Sequence, residues 1–257
     1  MRRIKLVLAY DGTEFHGWQV QPGLPTIQGT LEEILRGIEG RPVQVAGSGR
    51  TDAGVHALGQ VGAVSIENPI PTANLRKAMN RLLPPAIRVL SAVEVHADFH
   101  PRFDAFAKTY EYRIARGEVC SPFEWPYLHH FPYPLDIAAM THLAPLLEGE
   151  HDFAAFAASD DRDAQGKSKV RRIFASSMEA EGERLIYRVT GSGFLKHMVR
   201  NIAGTLLQAG KKRLDAEAFA KFLDPAYRAK AGPRAPAKGL TLVSVQYAHP
   251  VHHSHSV

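Results

Sequence analysis

The sequence has 257 residues, 45% hydrophobic and 22% charged, which is typical of a globular chain that buries one large core or two smaller ones, and no run approaches the roughly 18 apolar residues of a membrane span. The net charge of +5 and the pI near 9.3 mildly favour a polyanionic partner, because Lys and Arg side chains displace counterions from phosphates. The single cysteine, Cys120, excludes an intrachain disulfide and a cysteine-rich metal site, and favours a reducing cytoplasm.

Hydrophobic periodicity predicts alternating strands and helices in the first half of the chain. Apolar residues at every second position predict a strand over residues 4–10, and turn chemistry follows at residues 11–13. Thr26 is a suitable cap for a helix whose apolar residues recur to Ile38, and Gly40 ends it. The other predicted elements of this half are strands over residues 43–45, 60–66 and 87–99 and a helix from residue 72 to the proline pair 84–85.

The second half predicts a similar order of elements without a repeated sequence. The predicted strands cover residues 109–115, 171–178, 185–190 and 240–247, and the predicted helices cover residues 135–147, 194–209 and 216–223. The polar, turn-rich segment 158–168 predicts a mobile loop, and residues 229–238 have a similar character with added positive charge.

The order of the elements predicts an α+β fold. Several strands follow one another directly, and this order favours antiparallel pairing with helices layered against the sheets. A boundary near residues 101–106 divides the chain into an N-terminal lobe, residues 1–103, and a C-terminal lobe, residues 104–247. The remaining residues, 248–257, contain four histidines that could bind a metal, but they lack a packing pattern and predict a frayed tail.

The segment GSGRTDAGVH, residues 47–56, places one carboxylate, Asp52, between glycines and beside Arg50 and His56. Glycines permit close approaches of the backbone, so such a loop can present Asp52 to a ligand, and the adjacent cation favours its ionised form. The same residues also suit a polar turn with an Asx-type hydrogen bond, and local chemistry leaves the two interpretations equal. The chain has no Gly-Lys-Ser/Thr phosphate loop, no HExxH sequence and no paired Cys/His spacing, so neither a nucleotide phosphate loop nor a metal site is predicted.

Four segments in order resemble motifs of the TruA-type tRNA pseudouridine synthases. The octapeptide GRTDAGVH within GSGRTDAGVHALGQV resembles the signature loop of this family. The other three are YDGTEFHGWQVQP from Tyr10, KTYEYRI from Lys108, and GFLKHMVRNIAGTLL from Gly193 followed by KGLTLVSV from Lys238. The matches extend from residue 10 to residue 245, and the small departures, at residues 47–48 and 195–196, put only fine RNA contacts in doubt.

The resemblance implies a role for each matching residue. Asp52 matches the essential aspartate, Arg200 the arginine that pairs with it, and Tyr110 the tyrosine that packs on the target base. These three are the predicted catalytic residues. The predicted substrate-binding residues are Arg50, Leu240, Phe194 and Gln19, the last of these in the segment expected to flank the RNA.

The resemblance also implies a fold and an activity. It implies two related α/β lobes whose antiparallel sheets join into a central sheet flanked by helices, with the active-site cleft between the lobes. It further implies an isomerase that converts uridine to pseudouridine at tRNA positions 38, 39 and 40. No cofactor is implied, and the implied state is a cytoplasmic homodimer whose tRNA contacts both chains through its anticodon arm and elbow.

The same residues can also be interpreted as structural residues without a role in catalysis. Taken alone, Arg200 is a solvated charge on a helix, Tyr110 and Leu240 are core residues, and His56 is a hydrogen-bonded structural histidine. At the level of function, the alternatives are a tRNA-binding module or RNA chaperone without activity, a pseudouridine synthase acting at other RNA positions, and a metal-dependent hydrolase built around Asp52.

Overall fold

The computed structural model describes residues 1–159, 166–227 and 229–248. The chain forms two compact units: Met1–Phe106 together with the segment from Leu242 onward, and Ala107–Thr241. Residues 249–257 of the predicted tail and residues 160–165 of the predicted loop lie outside the described residues. Within the described part of the chain, no helix has both the length and the apolar character needed to cross a bilayer.

The first unit is built on an antiparallel sheet whose central strand, β1, pairs with a strand on either side. The strands are β1 (Arg2–Tyr10), β2 (Ala46–Gly47), β3 (His56–Ile66) and β4 (Ile87–Val95), together with the part of β10 (Leu240–Tyr247) that starts at Leu242, and the helices are α1 (Ile27–Glu39) and α2 (Thr72–Leu82). The order of the strands is β4-β1-β3-β10, with β2 on β3. Alternation along β1 buries its even-numbered residues from Ile4 to Tyr10, as the sequence predicted.

Both faces of this sheet carry apolar residues. The even-numbered residues of β1 lie on one face, and the inward stripes of α1 and α2, which include Leu31 and Met79, are fully buried. The opposite face carries a smaller cluster of Val61, Ala63, Val95 and Phe99, against which Tyr247 packs. The first unit therefore has a larger core under its helices and a smaller one on the other face of the sheet.

Helix α1 begins and ends where its sequence predicts. The hydroxyl of Thr26 accepts a hydrogen bond of 3.2 Å from the Gly29 N–H and satisfies one of the open donors of the first turn. Gly40 adopts φ 72°, and its N–H donates to the Arg36 carbonyl over 2.9 Å, which closes the C-terminus.

The second unit contains a sheet with the strand order β5-β9-β8-β7, in which neighbouring strands are antiparallel, and a short strand β6 that runs parallel to β5. The strands are β5 (Ala105–Ala115), β6 (His129–His130), β7 (Gly149–Asp152), β8 (Val170–Glu181) and β9 (Arg184–Gly191), and the helices are α3 (Ile137–Leu143), α4 (Met198–Gly210) and α5 (Ala216–Lys221). Helix α4 is buried along most of its length. The predicted α+β class, with antiparallel sheets flanked by helices, is confirmed.

Two strand predictions are wrong at their bounds. Residues 43–45 do not form a strand: the Val45 N–H donates to the Glu32 carboxylate over 2.9 Å, and pairing begins only at Ala46. The strand predicted over residues 87–99 ends at Val95, because the chain turns there and the Phe99 N–H bonds to the His96 carbonyl. The short strands β6 and β7 were not predicted.

Two helix predictions are also wrong at their bounds. The helix predicted over residues 135–147 is α3, capped by the Asp136 side chain, followed by a 3-10 turn at Ala144–Leu147, because Pro145 has no N–H to continue the α-helical pattern. The helix predicted over residues 194–209 begins only at Met198. His197 before it adopts φ 62°, a left-handed conformation that a continuing helix excludes.

The glycine at position 204 on α4 makes a close contact that the fold requires. A Cβ at this position would overlap the carbonyl oxygen of Pro233, whereas a Cβ at Gly37 on α1 would meet nothing within 4 Å. We expect Gly204→Ala to lower the free energy of unfolding by about 1–3 kcal/mol, because a backbone segment must move. The matched change Gly37→Ala should raise it by up to about 1 kcal/mol. Urea denaturation of both variants tests this, and equal effects at the two positions would contradict it.

Candidate active site

The segment around Asp52, here called the Asp52 loop (residues 47–56), is anchored at both ends on strand β3. Before the loop, Gly47 of β2 pairs with Gly62 of β3, and the Ser48 N–H donates to the Val61 carbonyl over 2.8 Å. After the loop, His56 is the first residue of β3. Because both ends of the loop are fixed to one strand, its backbone has little freedom to move relative to the sheet.

Asp52 is the first residue of a tight turn. Its carbonyl accepts a hydrogen bond of 3.2 Å from the Val55 N–H, and Gly54 at the third position has φ 75°, as in a type II turn. The Gly54 N–H donates to the Phe15 carbonyl over 3.2 Å. Asp52 itself is half-buried in this turn.

The segment after β1 packs directly on the backbone of the Asp52 loop. A Cβ on Gly17, which has φ 86°, would lie 2.5 Å from the Thr51 carbonyl oxygen, and a Cβ on Gly12 would overlap the Val55 carbonyl. The next residue, Trp18, donates its N–H to the Thr51 carbonyl over 3.0 Å. These contacts require glycine at positions 12 and 17, because any side chain would push the two segments apart. Gln19, a predicted substrate-binding residue, follows in this segment and is half-buried.

Four buried polar side chains form a network where the loop meets the sheet. Ser48 and Thr51 belong to the loop, and Tyr10 and Gln60 belong to the strands beneath it. The Ser48 hydroxyl donates to Gln60 Oε1 over 2.6 Å, and Gln60 Nε2 reaches the Gly49 carbonyl at 3.0 Å and the Tyr10 hydroxyl at 3.4 Å. The Tyr10 hydroxyl in turn lies 2.9 Å from Thr51 Oγ1. Burial raises the pKa of Tyr10 to about 12, although its hydrogen bonds to Thr51 and Gln60 act in the opposite direction.

This network was not predicted from the sequence. One signal was available: Gln60 occupies an inward position of a strand whose later inward residues, Val64 and Ile66, are apolar. A buried amide in such a place needs partners. The partners themselves come from a distant strand and a loop, which periodicity does not reveal.

His56 has a structural contact with the backbone. It is 5% exposed, and its Nδ1 accepts a hydrogen bond of 3.1 Å from the Gly12 N–H. The same nitrogen lies 3.3 Å from a carboxylate oxygen of Asp11, but this pair attracts as an ion pair only when Nδ1 carries a proton, which would break the bond from Gly12. The backbone bond therefore favours a neutral ring with its hydrogen on Nε2. Arg50, on the other side of Asp52, is exposed.

Tyr110 and Phe194 are brought together in the second unit. Tyr110 lies on β5 opposite Val189 of β9 and is 8% exposed. Its ring meets that of Phe194 edge to face, with centroids 5.1 Å apart and an interplanar angle of 79°. Phe194 lies in the irregular segment before α4, so the later start of this helix frees its side chain from helical geometry.

Arg200 lies in the first turn of α4 and is fixed by a neighbouring segment. Its Nε donates to the Ala235 carbonyl over 2.9 Å, and its own carbonyl accepts from the Ala235 N–H over 3.1 Å. Burial raises the pKa of Tyr112, and the positive charge of Arg200 partly opposes this shift. Arg200 is thus half-buried and hydrogen-bonded, unlike a freely solvated surface charge.

Leu240 begins strand β10 directly after a 3-10 turn at Ala237–Gly239 and is 6% exposed. Gly239 lies against the ring of Tyr112, whose hydroxyl donates to the Pro236 carbonyl over 2.9 Å. The turn and the start of β10 are therefore packed on a buried aromatic ring, which fixes the backbone at Leu240.

The predicted site residues form two groups, one in each unit. Asp52, Arg50 and Gln19 belong to the first group, and Tyr110, Phe194, Arg200 and Leu240 belong to the second. Across the described ranges of the chain, no cluster of three or more His, Cys, Asp or Glu side chains is arranged to hold a metal ion. The functional groups that these residues offer are the carboxylate of Asp52, an arginine held by a backbone carbonyl, and an aromatic ring in edge-to-face contact with Phe194.

Comparison with known proteins gives a consistent family. The family model described as tRNA pseudouridine synthase matches residues 6–104 and 143–248, which include the predicted site residues except Tyr110. A tRNA pseudouridine synthase A from Solibacter usitatus is 68% identical over 96% of this chain and 100% of its own length. Proteins of the same name from Brevibacillus brevis and Myxococcus xanthus are 42% and 44% identical, each over 96% of this chain and over 100% and 92% of their own lengths.

A chain from a solved archaeal box H/ACA sRNP Nop10-Cbf5 complex is also similar, over 79% of this chain and 42% of its own length, with 12% identity and a TM-score of 0.31. This likeness is too low to support an argument. The family model and the sequence relatives, in contrast, cover nearly the whole length. The chain therefore belongs to the tRNA pseudouridine synthase family.

Proposed function

We propose that this protein isomerises uridine to pseudouridine at positions 38, 39 and 40 in the anticodon arm of tRNA, with Asp52 as the catalytic carboxylate. The observation that carries the proposal is the geometry at Asp52: a half-buried acidic residue on a turn whose backbone is fixed by close glycine contacts. The 68% identity to a protein named tRNA pseudouridine synthase A supports the enzyme over a binding module without activity.

The reaction requires few functional groups. The bond between N1 of uracil and C1′ of the sugar breaks, the base turns, and C5 joins C1′. A proton then leaves C5, and N1 takes up a proton, so the product is an isomer of the substrate. No electrons are gained or lost overall, and an ionised carboxylate suffices as nucleophile toward the sugar or ring, or as base at C2′. Asp52 serves in either role.

The aromatic pair in the second unit supplies a surface for the base. Stacking of a base on an aromatic side chain contributes about 1–3 kcal/mol to binding. The edge-to-face contact with Phe194 holds the Tyr110 ring in one orientation, so little freedom is lost when a base packs against it. We assign this stacking role to the ring of Tyr110. We also assign to its hydroxyl a role in removing the proton from C5.

The cations have separate proposed roles. Arg200 is held by the Ala235 carbonyl and brings a fixed positive charge to the anionic groups of the reaction. Arg50 is exposed beside Asp52 and suits a phosphate of the extruded nucleotide. A paired uridine must leave its stack to react, at a free-energy cost of a few kcal/mol, and such contacts offset part of that cost. Leu240 and Gln19 are proposed to line the path of the nucleotide.

The family resemblance supports two further parts of the proposal. The first is a homodimer in which one tRNA contacts both chains through its anticodon arm and its elbow. The second is a cytoplasmic location. Shape and backbone contacts are expected to select the target arm, because a folded RNA presents its sugars and phosphates more accessibly than the base edges of its stems.

Replacing Asp52 tests the catalytic assignment. We expect Asp52→Asn to abolish tritium release from tRNA labelled at uridine C5, because the amide cannot act as nucleophile or base, while tRNA binding stays close to wild type. Release by the wild-type protein should persist in a chelator and without any added cofactor. The matched control Asp215→Ala removes the cap of α5 and should cost about 1 kcal/mol of stability without loss of activity. Turnover by a well-folded Asp52→Asn protein would contradict the assignment.

Mapping pseudouridine in tRNA tests the target positions. In cells that lack this protein, we expect pseudouridine to disappear at positions 38–40 and to remain elsewhere, because these positions are neighbours in one arm of the tRNA. Expression of the wild-type protein should restore these sites, and expression of Asp52→Asn should not. Loss at other positions, or in another class of RNA, would favour the alternative synthase with a different target.

Replacing Tyr110 separates its ring from its hydroxyl. We expect Tyr110→Leu to lower kcat/KM by roughly 10- to 100-fold through loss of the stacking surface. Tyr110→Phe should keep the KM of the wild type and lower kcat, since only the hydroxyl is lost. Tyr133→Phe, which removes an exposed hydroxyl, is the control and should match the wild type. An unchanged KM in Tyr110→Leu would exclude the stacking role.

A further inference from the structure

In the buried network beneath the Asp52 loop, the side-chain amide of Gln60 has a defined orientation. The Gly49 carbonyl only accepts hydrogen bonds and the Val61 N–H only donates, so the Gln60 amide must present Nε2 to Gly49 and Oε1 to Val61. Nε2 then also donates to the Tyr10 oxygen, and the Tyr10 hydroxyl shares a hydrogen bond of 2.9 Å with the Thr51 hydroxyl, in which either group can be the donor. The hydrogen bonds therefore lead from the strand β3 to the residue next to Asp52.

Each member of this network is almost wholly inside the protein. Ser48 and Gln60 are 0% exposed, Tyr10 is 4% exposed and Thr51 is 7% exposed. Buried polar groups destabilise a fold unless they are hydrogen-bonded, and an apolar side chain at position 60 would bury its surface without that requirement. A network that links a sheet to a candidate catalytic loop is therefore better explained by the placement of the loop than by stability.

The network acts on Asp52 through Thr51. The Thr51 side chain is held from the core by Tyr10, and the Thr51 carbonyl is held from the opposite segment by the Trp18 N–H. With side chain and backbone both fixed, little rotation remains in the peptide that leads to Asp52. Catalytic groups need to be held within about 0.5 Å of their productive positions, which a loop achieves only with such support.

We infer that Tyr10 and Gln60 are positioning residues, which hold the Asp52 carboxylate in place through Thr51. This inference rests on the proposed function of Asp52. Neither residue touches the reacting atoms: Tyr10 contacts Thr51, and Gln60 contacts Tyr10 and the loop backbone.

The first test removes the hydroxyl of Tyr10. We expect Tyr10→Phe to lower kcat for tritium release roughly 10- to 100-fold, with little change in KM, because the loop still binds RNA but holds the carboxylate less accurately. Tyr187→Phe is a matched control: its hydroxyl is also buried and lies 3.1 Å from Ser176, but it belongs to the second unit. The control should lose similar thermal stability and keep its kcat. Equal losses of kcat in the two variants would overturn the inference.

The second test examines the link through Thr51. Thr51→Ser keeps the hydroxyl and should keep most of the wild-type kcat, whereas Thr51→Val should show the loss seen in Tyr10→Phe. Because both changes remove the same hydrogen bond, the double variant should be no slower than either single variant. Losses in kcat that multiply in the double variant would show that the two residues act separately, and would overturn the inference.

A readout that does not depend on activity distinguishes failure of this inference from failure of the proposed function. The Gly54 and Val55 amides are bonded within the loop region, so their hydrogen exchange reports its opening. We expect faster exchange at both amides in Tyr10→Phe and unchanged exchange in Tyr187→Phe. Unchanged exchange in Tyr10→Phe would overturn the positioning role even if the wild-type protein isomerises uridine. Faster exchange in a protein without activity would instead count against the proposed function alone.

Discussion

Close contact between two backbone segments places the candidate carboxylate, and the rest of the first unit's site depends on it. Gly12 and Gly17 allow the segment after β1 to lie directly on the Asp52 loop, where backbone groups of the two segments bond to each other. A loop with few apolar side chains has little hydrophobic burial to hold it. Because glycine has no side chain, the two backbone segments can lie in contact here. Hydrogen bonds between them stabilise the loop in place of hydrophobic burial.

In the second unit, a candidate site residue on a helix is also fixed by a closely packed backbone segment. Arg200 carries the charge, but its direction is set by Ala235, whose segment approaches α4 closely because Gly204 has no side chain. The left-handed conformation of His197 ends the irregular segment that carries Phe194 and starts the helix that carries Arg200. In both units, then, the candidate site residue stands on a backbone that a second segment fixes, and a glycine allows that segment to approach closely.

The sequence predicted what depends on local pattern and missed what depends on distant partners. Helix α1 was predicted from its periodicity, from the cap at Thr26 and from Gly40, all of which act within the helix itself. The start of α4 was predicted too early, because nothing local marks His197 as left-handed. The network around Gln60 went unrecognised for a related reason: its partners lie up to 50 residues away, so its meaning depends on the sheet.

Local chemistry alone left Asp52 equally suited to a turn and to catalysis, and the structure shows that the two are compatible. Asp52 does begin a turn, but the turn uses its backbone carbonyl, and the residue is half-buried. Below the loop, burial raises the pKa of Tyr10 to about 12. The network that supports the loop therefore keeps one protonation state over the pH range in which carboxylates and imidazoles ordinarily titrate. The hydrogen bonds that support the loop through Tyr10 are therefore kept across that range.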